Sequence, residues 1–174
     1  MKELVRLFFK IALSEKGPQD LPASTVLLAL TVVGYFVVNF VVGMLLPPVA
    51  PWKLHLVIEI VFTLAWYFVL LRSFKKPERF LQTATAIFGY QIVLTPIWIP
   101  AIFLARNFNE DDMLRYPAAI IGLAVAIWII RAASYILKAA LEVPIAAAVV
   151  LVIAQVITGQ LLLLTLTPVT PVPT

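Results

Sequence analysis

Three polar side chains inside apolar segments are the strongest candidates for chemistry in this sequence: Asn39, His55 and Glu59. His55 and Glu59 are four residues apart, so on a helix they lie one turn apart on the same face, where they can share or exchange a proton. At a rise of about 1.5 Å per residue, Glu59 lies about 10 Å inside its apolar run, and Asn39 reaches a similar depth in another run. An ionisable group at that depth is costly in lipid and is therefore a functional candidate.

This cluster has two interpretations. In the first, Glu59 and His55 bind a proton or a cation within the membrane. In the second, Glu59 is a protonated carboxyl that hydrogen-bonds Asn39 and only joins two helices. The two interpretations differ in whether Glu59 faces a wet cavity or is sealed between helices.

The sequence predicts no enzyme and no cofactor. It contains none of the patterns G-x-S-x-G, H-E-x-x-H, G-x-G-x-x-G or the Walker loop. The absence of cysteine and the presence of one histidine exclude thiol catalysis and any site built from several histidines. His55 and Glu59 offer two metal ligands with no clear third except Asn39, so we expect no metal site.

The composition is that of an integral membrane protein. Hydrophobic residues make up 63% of the chain and charged residues 13%, whereas soluble domains carry about 25% charged residues. The mean hydropathy is +1.04. The net charge of +4 comes from basic residues placed between apolar runs rather than on one face, so we expect no nucleic-acid partner.

Five apolar runs are long enough to cross a hydrocarbon core of about 30 Å. They cover approximately 25–46, 52–71, 80–104, 117–137 and 144–166. The predicted fold is all-α: an N-terminal segment (1–23), a bundle of five transmembrane helices (24–166) and a short Pro/Thr-rich tail (167–174). The short connections between runs make consecutive helices antiparallel neighbours.

The N-terminal segment has the pattern of an amphipathic helix lying at the membrane interface. Lys2, Arg6 and Lys10 fall on one side, suited to anionic lipid headgroups, and apolar residues take the other. This helix is either a lead-in on the membrane surface or a docking element for a partner. Gly17 and Pro18 end it.

The third run contains polar and helix-distorting residues near the middle of the bilayer: Gly89, Tyr90, Gln91, Pro96 and Pro100. Each proline lacks an N–H and leaves the carbonyl four residues earlier without its helical partner. Because lipid cannot satisfy these groups, we expect the third run to form a central helix with the others packed around it. Gln91 and Gln155 fall at similar depth and are expected to pair across the third and fifth spans.

The fourth run carries a charge and a ridge of small residues. Arg131 lies near the inner end of the span, and we expect it to snorkel to the inner headgroups. The alternative is that it binds the carbonyls freed near Pro96, if the kink brings them to its depth. Ala118, Gly122 and Ala126 repeat every four residues, a spacing that allows close approach of another helix. Both features are common in membrane proteins.

The distribution of Lys and Arg predicts the orientation. With the N-terminus in the cytoplasm, ten of the 13 basic residues lie on the inner side. The three on the outer side are Lys53, Arg106 and Arg115. We therefore expect a cytoplasmic N-terminus and a C-terminus on the far side.

Two stretches resemble the Yip (Ypt-interacting protein) family of five-span membrane proteins. The first is Thr85–Gln91 followed by Pro96, and the second is Trp128–Ile130 with Ala139–Leu141 and an alanine-rich last span. The resemblance implies a protein without catalytic residues. Eukaryotic members act in membrane traffic, partly through small GTPases. Only residues 1–24 precede the first run, so the resemblance favours a compact bacterial-type member in the inner membrane, with a periplasmic C-terminus.

Two functions are compatible with these features. The first is a non-catalytic scaffold, assembly factor or accessory subunit that contacts lipids, other membrane subunits or further copies of itself. The second is a small transporter or channel component that uses Glu59 and His55. Proline-broken helices are typical of transporters, whereas a chain of this length shows no inverted repeat.

Overall fold

The computed structural model describes residues 2–45, 52–107 and 112–166, and within them the side chains except those at 98, 101–107, 112–115 and 118. The predicted all-α class is confirmed, because every regular element in the described ranges is a helix. The described residues form six α-helices, with short 3₁₀ turns at Pro18–Asp20, before the second helix, and at Pro77–Arg79, before the fourth. The six helices are α1 (Lys2–Ala12), α2 (Thr25–Leu45), α3 (Trp52–Ser73), α4 (Phe80–Asn107), α5 (Asp112–Leu141) and α6 (Ile145–Leu166). The helices α2 to α6 are each long and apolar enough to cross a membrane, as predicted.

Helix α4 lies at the centre of the bundle and contacts α1, α2, α3 and α5. Every residue from Thr83 to Tyr90 is buried. In the apolar stretch of α4, 56% of the residues are buried, against 11–33% in the other four spans. The prediction of a central third helix is therefore correct for the first half of α4.

The proline-containing half of α4 differs from the prediction. Pro96 and Pro100 both lie within the helix, and both are exposed rather than covered by neighbouring helices. The neighbours pack where Ala84, Ala86 and Gly89 allow close approach, which is toward the start of α4. Small side chains, and not the prolines, determine which part of α4 is central.

Helix α1 packs on the bundle instead of only lying on a membrane surface. Phe8, Ile11 and Ala12 are buried and belong to one core cluster with residues of α3, α4, α5 and α6. The indole Nε1 of Trp128 on α5 donates a hydrogen bond to the carbonyl of Ala12 (2.8 Å). The apolar face of α1 thus contacts protein. The sequence could not show this, because a hydrophobic period of 3.6 residues is the same whether the apolar face contacts protein or lipid.

At one end of the molecule, which we call the basic end, the last turn of α5 is held by residues that precede α4. The Arg79 guanidinium donates to the carbonyls of Ala139 (3.0 Å) and Ala140 (3.1 Å). These carbonyls belong to the last turn of α5, where helical N–H partners are missing. Lys76 and Arg79 also form ion pairs with Glu142, which adopts a left-handed conformation just after α5 ends.

We expect Arg79→Ala to lower the free energy of unfolding by about 1–3 kcal/mol, because hydrogen bonds from a charged donor to two helix-end carbonyls are lost. The measurement is thermal unfolding of the purified protein in mild detergent. Arg72→Ala removes an exposed cation from the last turn of α3 and is the matched control. Equal effects of the two variants would contradict a capping role for Arg79.

The ion pairs of Glu142 predict a stability change in acid. Hydrogen bonds from Lys76 and Arg79 lower the pKa of Glu142 below its ordinary value of 4.5. The stabilisation is therefore fully present above pH 4.5 and is lost as the pH falls through the lowered pKa. The difference in melting temperature between the wild type and Glu142→Gln should shrink as the pH falls from 6 to 3. A difference that stays constant would count against these pairs, and Glu3→Gln on the exposed side of α1 is the control.

Candidate intramembrane polar site

Glu59 on α3 accepts a hydrogen bond from Tyr35 on α2, with 2.9 Å between the tyrosine oxygen and Oε1. Tyr35 is buried, and its ring packs edge-on against Phe88 of α4 at a centroid distance of 5.2 Å. The hydroxyl is therefore held in place by the packing of α2 on α4. One of the two interpretations of the sequence made Asn39 the hydrogen-bond partner of Glu59. The Asn39 amide instead donates to the carbonyl of Tyr35, one turn earlier in its own helix (2.9 Å).

The Glu59 side chain is exposed to two adjoining cavities between the helices. The smaller, of about 210 Å³, lies between α3, α4 and α6. The larger, of about 630 Å³, is lined by residues of α2 to α6. Both share four lining residues: Glu59, Gln91, Val156 and Gln160. We call the two together the Glu59 cavity.

Amide and hydroxyl groups line the Glu59 cavity around the single carboxylate of its described walls. The smaller part includes Thr63 and Gln155, and the larger part includes Asn39 and Thr95. The Thr95 hydroxyl donates to the carbonyl of Gln91 (2.8 Å), so its oxygen can still accept or coordinate. The midplane glutamines, Gln91 and Gln155, both line the smaller part of the cavity. The hydrogen bond predicted between them stays a prediction.

Gln155 has a further neighbour that the sequence did not single out. Gln155 lies close to Tyr67, a fully buried residue of α3. Tyr90 is also buried in the core next to Gln91. The tyrosines Tyr35 and Tyr67 were missed because a tyrosine in an apolar run is equally typical of core packing. The spacing of Tyr35 and Asn39, one helical turn, was the available signal.

Of the three residues predicted as a cluster, Asn39 and Glu59 line the larger cavity. His55 lies one turn before Glu59 on α3, is half-buried and is not part of the described cavity walls. The site that the structure assembles is therefore centred on Glu59 with Tyr35, Gln91 and Gln160, with His55 beside it.

Two other predicted features lie outside this cavity. Arg131 is exposed on α5, as a residue that snorkels would be. The small-residue ridge of α5 is not used for packing at Gly122, because a Cβ atom there would meet nothing within 4 Å. Ala126 is half-buried, and the side chain of Ala118 lies outside the described residues.

The side of α1 that faces away from the bundle combines charge and apolar surface. Lys2 and Arg6 are exposed, Lys10 is half-exposed, and Val5 and Phe9 stand between them with exposed fractions of 57% and 46%. Opposite them, the Phe8 ring fills the space above Gly89 of α4, where an added Cβ atom would lie 2.2 Å from the ring. Gly89 therefore provides the space in which α1 contacts α4.

No protein family model, curated protein or solved structure matches this chain. The Yip resemblance therefore stays a prediction. Among the side chains that the structure describes, no group of three or more His, Cys, Asp or Glu residues is placed to hold a metal ion.

We expect Gly89→Ala to loosen α1, because the new methyl group and the Phe8 ring cannot occupy the same space; overpacking of this kind costs about 1–3 kcal/mol. The chain has no cysteine, so a single Ile11→Cys reporter, fully buried in the wild type, can be labelled with a water-soluble maleimide. Gly89→Ala should speed the labelling.

Gly122→Ala is the matched control, since its methyl group enters open space and alanine favours the helix by about 1 kcal/mol over glycine. If both variants label at the wild-type rate, the contact between Phe8 and Gly89 does not hold α1 in place.

Proposed function

We propose that this protein is a non-catalytic, Yip-like integral membrane scaffold or accessory subunit that acts through α1 and through the outer faces of its spans. The observation that carries the proposal is the position of α1. It packs against Gly89 of α4 and Trp128 of α5, and both residues belong to the stretches on which the Yip resemblance rests. In this chain, those two stretches therefore provide the residues that bind α1 to the bundle.

The free side of α1 is suited to the charged face of a membrane or of a membrane-bound partner. Lys2, Arg6 and Lys10 form a basic edge, and Val5 and Phe9 provide apolar side chains that can enter the headgroup region. Each Lys or Arg near an anionic leaflet contributes about 1 kcal/mol of attraction. At the basic end of the bundle, Lys76 and Arg79 add less attraction, because both are paired with Glu142.

The outer faces of the spans are the second contact surface. Only 11% of the residues in the apolar stretches of α2 and α6 are buried, and 22% in α3. These helices therefore turn most of their apolar surface outward, toward acyl chains, other membrane subunits or further copies of the chain. In this proposal the basic end faces the cytoplasm of a bacterium, and the protein resides in the inner membrane.

The test uses a single Phe9→Cys reporter in the otherwise cysteine-free chain, reconstituted into nanodiscs. Anionic lipid should slow maleimide labelling relative to zwitterionic lipid, because the basic edge draws the free side of α1 into the headgroups. Neutralising Lys2, Arg6 and Lys10 to Gln should remove this difference, with about a fivefold loss of attraction expected for each charge.

A variant with Lys53, Arg72 and Lys75 changed to Gln lowers the net charge equally and is the control. Labelling that is independent of lipid charge in the wild type contradicts a lipid-contacting role for α1. Co-purification in mild detergent, with the bound membrane proteins identified and compared between the wild type and the α1 variant, tests the subunit role.

A further inference from the structure

We infer that the Glu59 cavity binds a small monovalent cation in competition with a proton on Glu59. The proposal is independent of the role of α1. It rests on one carboxylate and several neutral oxygen donors that line the same two adjoining cavities between the spans.

The donor set is made of oxygen atoms. Within the described walls of the cavity, the carboxylate of Glu59 is joined by the side-chain oxygens of Gln91, Gln155 and Gln160, and by the hydroxyl groups of Thr63 and Thr95. Oxygen donors of this kind suit hard cations, whereas soft or transition metals favour nitrogen and sulfur ligands. The amide groups can turn their oxygen atoms toward a cation without any change in the backbone.

The charge balance favours a single positive charge. The described walls of the cavity contain one acidic side chain and no basic one. Divalent cations such as Ca²⁺ are held by six to eight oxygen ligands, usually with several carboxylates. One carboxylate with neutral oxygens balances the charge of Na⁺, K⁺ or a proton.

Glu59 needs such a partner whenever it is ionised. An ionised carboxylate between membrane helices is costly unless it is paired. The single hydrogen bond from Tyr35 replaces only part of the hydration that the carboxylate would have in water. Protonation is the alternative, so a cation and a proton compete for the same group. Release of the cation at low pH follows directly.

The titratable neighbours of Glu59 come from three helices. Tyr35 of α2 donates the hydrogen bond to it, Tyr90 of α4 interacts with it electrostatically, and His55 lies one turn away on α3. The α6 wall presents the neutral Gln155 and Gln160. Of the side chains in the described cavity walls, Glu59 is the one carboxyl group that a proton can neutralise, so acid acts on the site through Glu59.

The space is sufficient for a partly hydrated ion. A water molecule occupies about 30 Å³ of liquid volume, and the two parts of the cavity have about 210 Å³ and 630 Å³. Glu59 borders both parts. A cation at Glu59 can therefore keep some of its water molecules while it exchanges others for Gln91 or Gln160.

The experiment measures binding of radioactive ²²Na⁺ to the purified full chain in mild detergent at pH 8 and at pH 5. Thermal unfolding is recorded in chloride salts of Li⁺, Na⁺, K⁺ and N-methyl-D-glucamine at equal ionic strength. We expect saturable binding of about one ion per chain at pH 8, with a higher melting temperature in at least one alkali cation than in N-methyl-D-glucamine. At pH 5 both effects should be lost.

Glu59→Gln should abolish the binding at pH 8, because the amide has the same shape but no charge. Tyr35→Phe should weaken it by about tenfold, the effect of one hydrogen bond to a charged group. Glu78→Gln, on the exposed turn before α4, is the control and should bind as the wild type does.

Two results would overturn the proposal. The first is the absence of saturable stabilisation or binding by any of the alkali cations in the wild type. The second is binding that persists unchanged at pH 5 or in Glu59→Gln. Should Glu59→Gln fail to fold, the pH series of the wild type and the Tyr35→Phe variant decide the matter on their own.

Discussion

The packing of small side chains along the first half of α4 is the contact on which the rest of this structure depends. In lipid the hydrophobic effect does not drive helices together, so close approach and van der Waals contact must do so. The segment from Thr83 to Tyr90 provides that approach and is buried throughout. Helices α1, α2, α3 and α5 are arranged around it, while α6 completes the bundle through α5 and α3.

Much of the fold could be predicted from the sequence, because a bilayer imposes length and polarity on every span. The five spans and the amphipathic α1 follow from apolar runs and a helical period. What α1 packs against could not be predicted, since Phe8 and Gly89 are distant in the chain and a glycine has many possible uses. The exposure of Pro96 was also missed. A proline shows that a backbone hydrogen bond is lost, but it does not show which neighbouring helices cover that part of the helix.

The candidate site could be predicted in part. Glu59 could be identified from the sequence, because an ionisable side chain within an apolar run carries a high free-energy cost in lipid and is rarely present without a function. Its partner could not be identified, because Asn39 and Tyr35 lie on one helical face and only the three-dimensional packing of Tyr35 against Phe88 decides between them. Gln160 lies on the same face of α6 as Val156 and Gly159, and all three line the cavity. That this face of α6 packs beside α3 could not be predicted from the sequence.

The contact with α1 and the Glu59 cavity both involve helix α4. Gly89 supports α1, and Gln91, two residues further along α4, borders the Glu59 cavity; two residues amount to about 200° of rotation, so the two contacts lie on opposite sides of the helix. The same turn of α4 therefore contacts both α1 and the cavity. Coupling between two binding equilibria is reciprocal. If a bound cation changes the affinity of α1 for a membrane or a partner by some factor, binding of that membrane or partner changes the affinity of the cavity for the cation by the same factor.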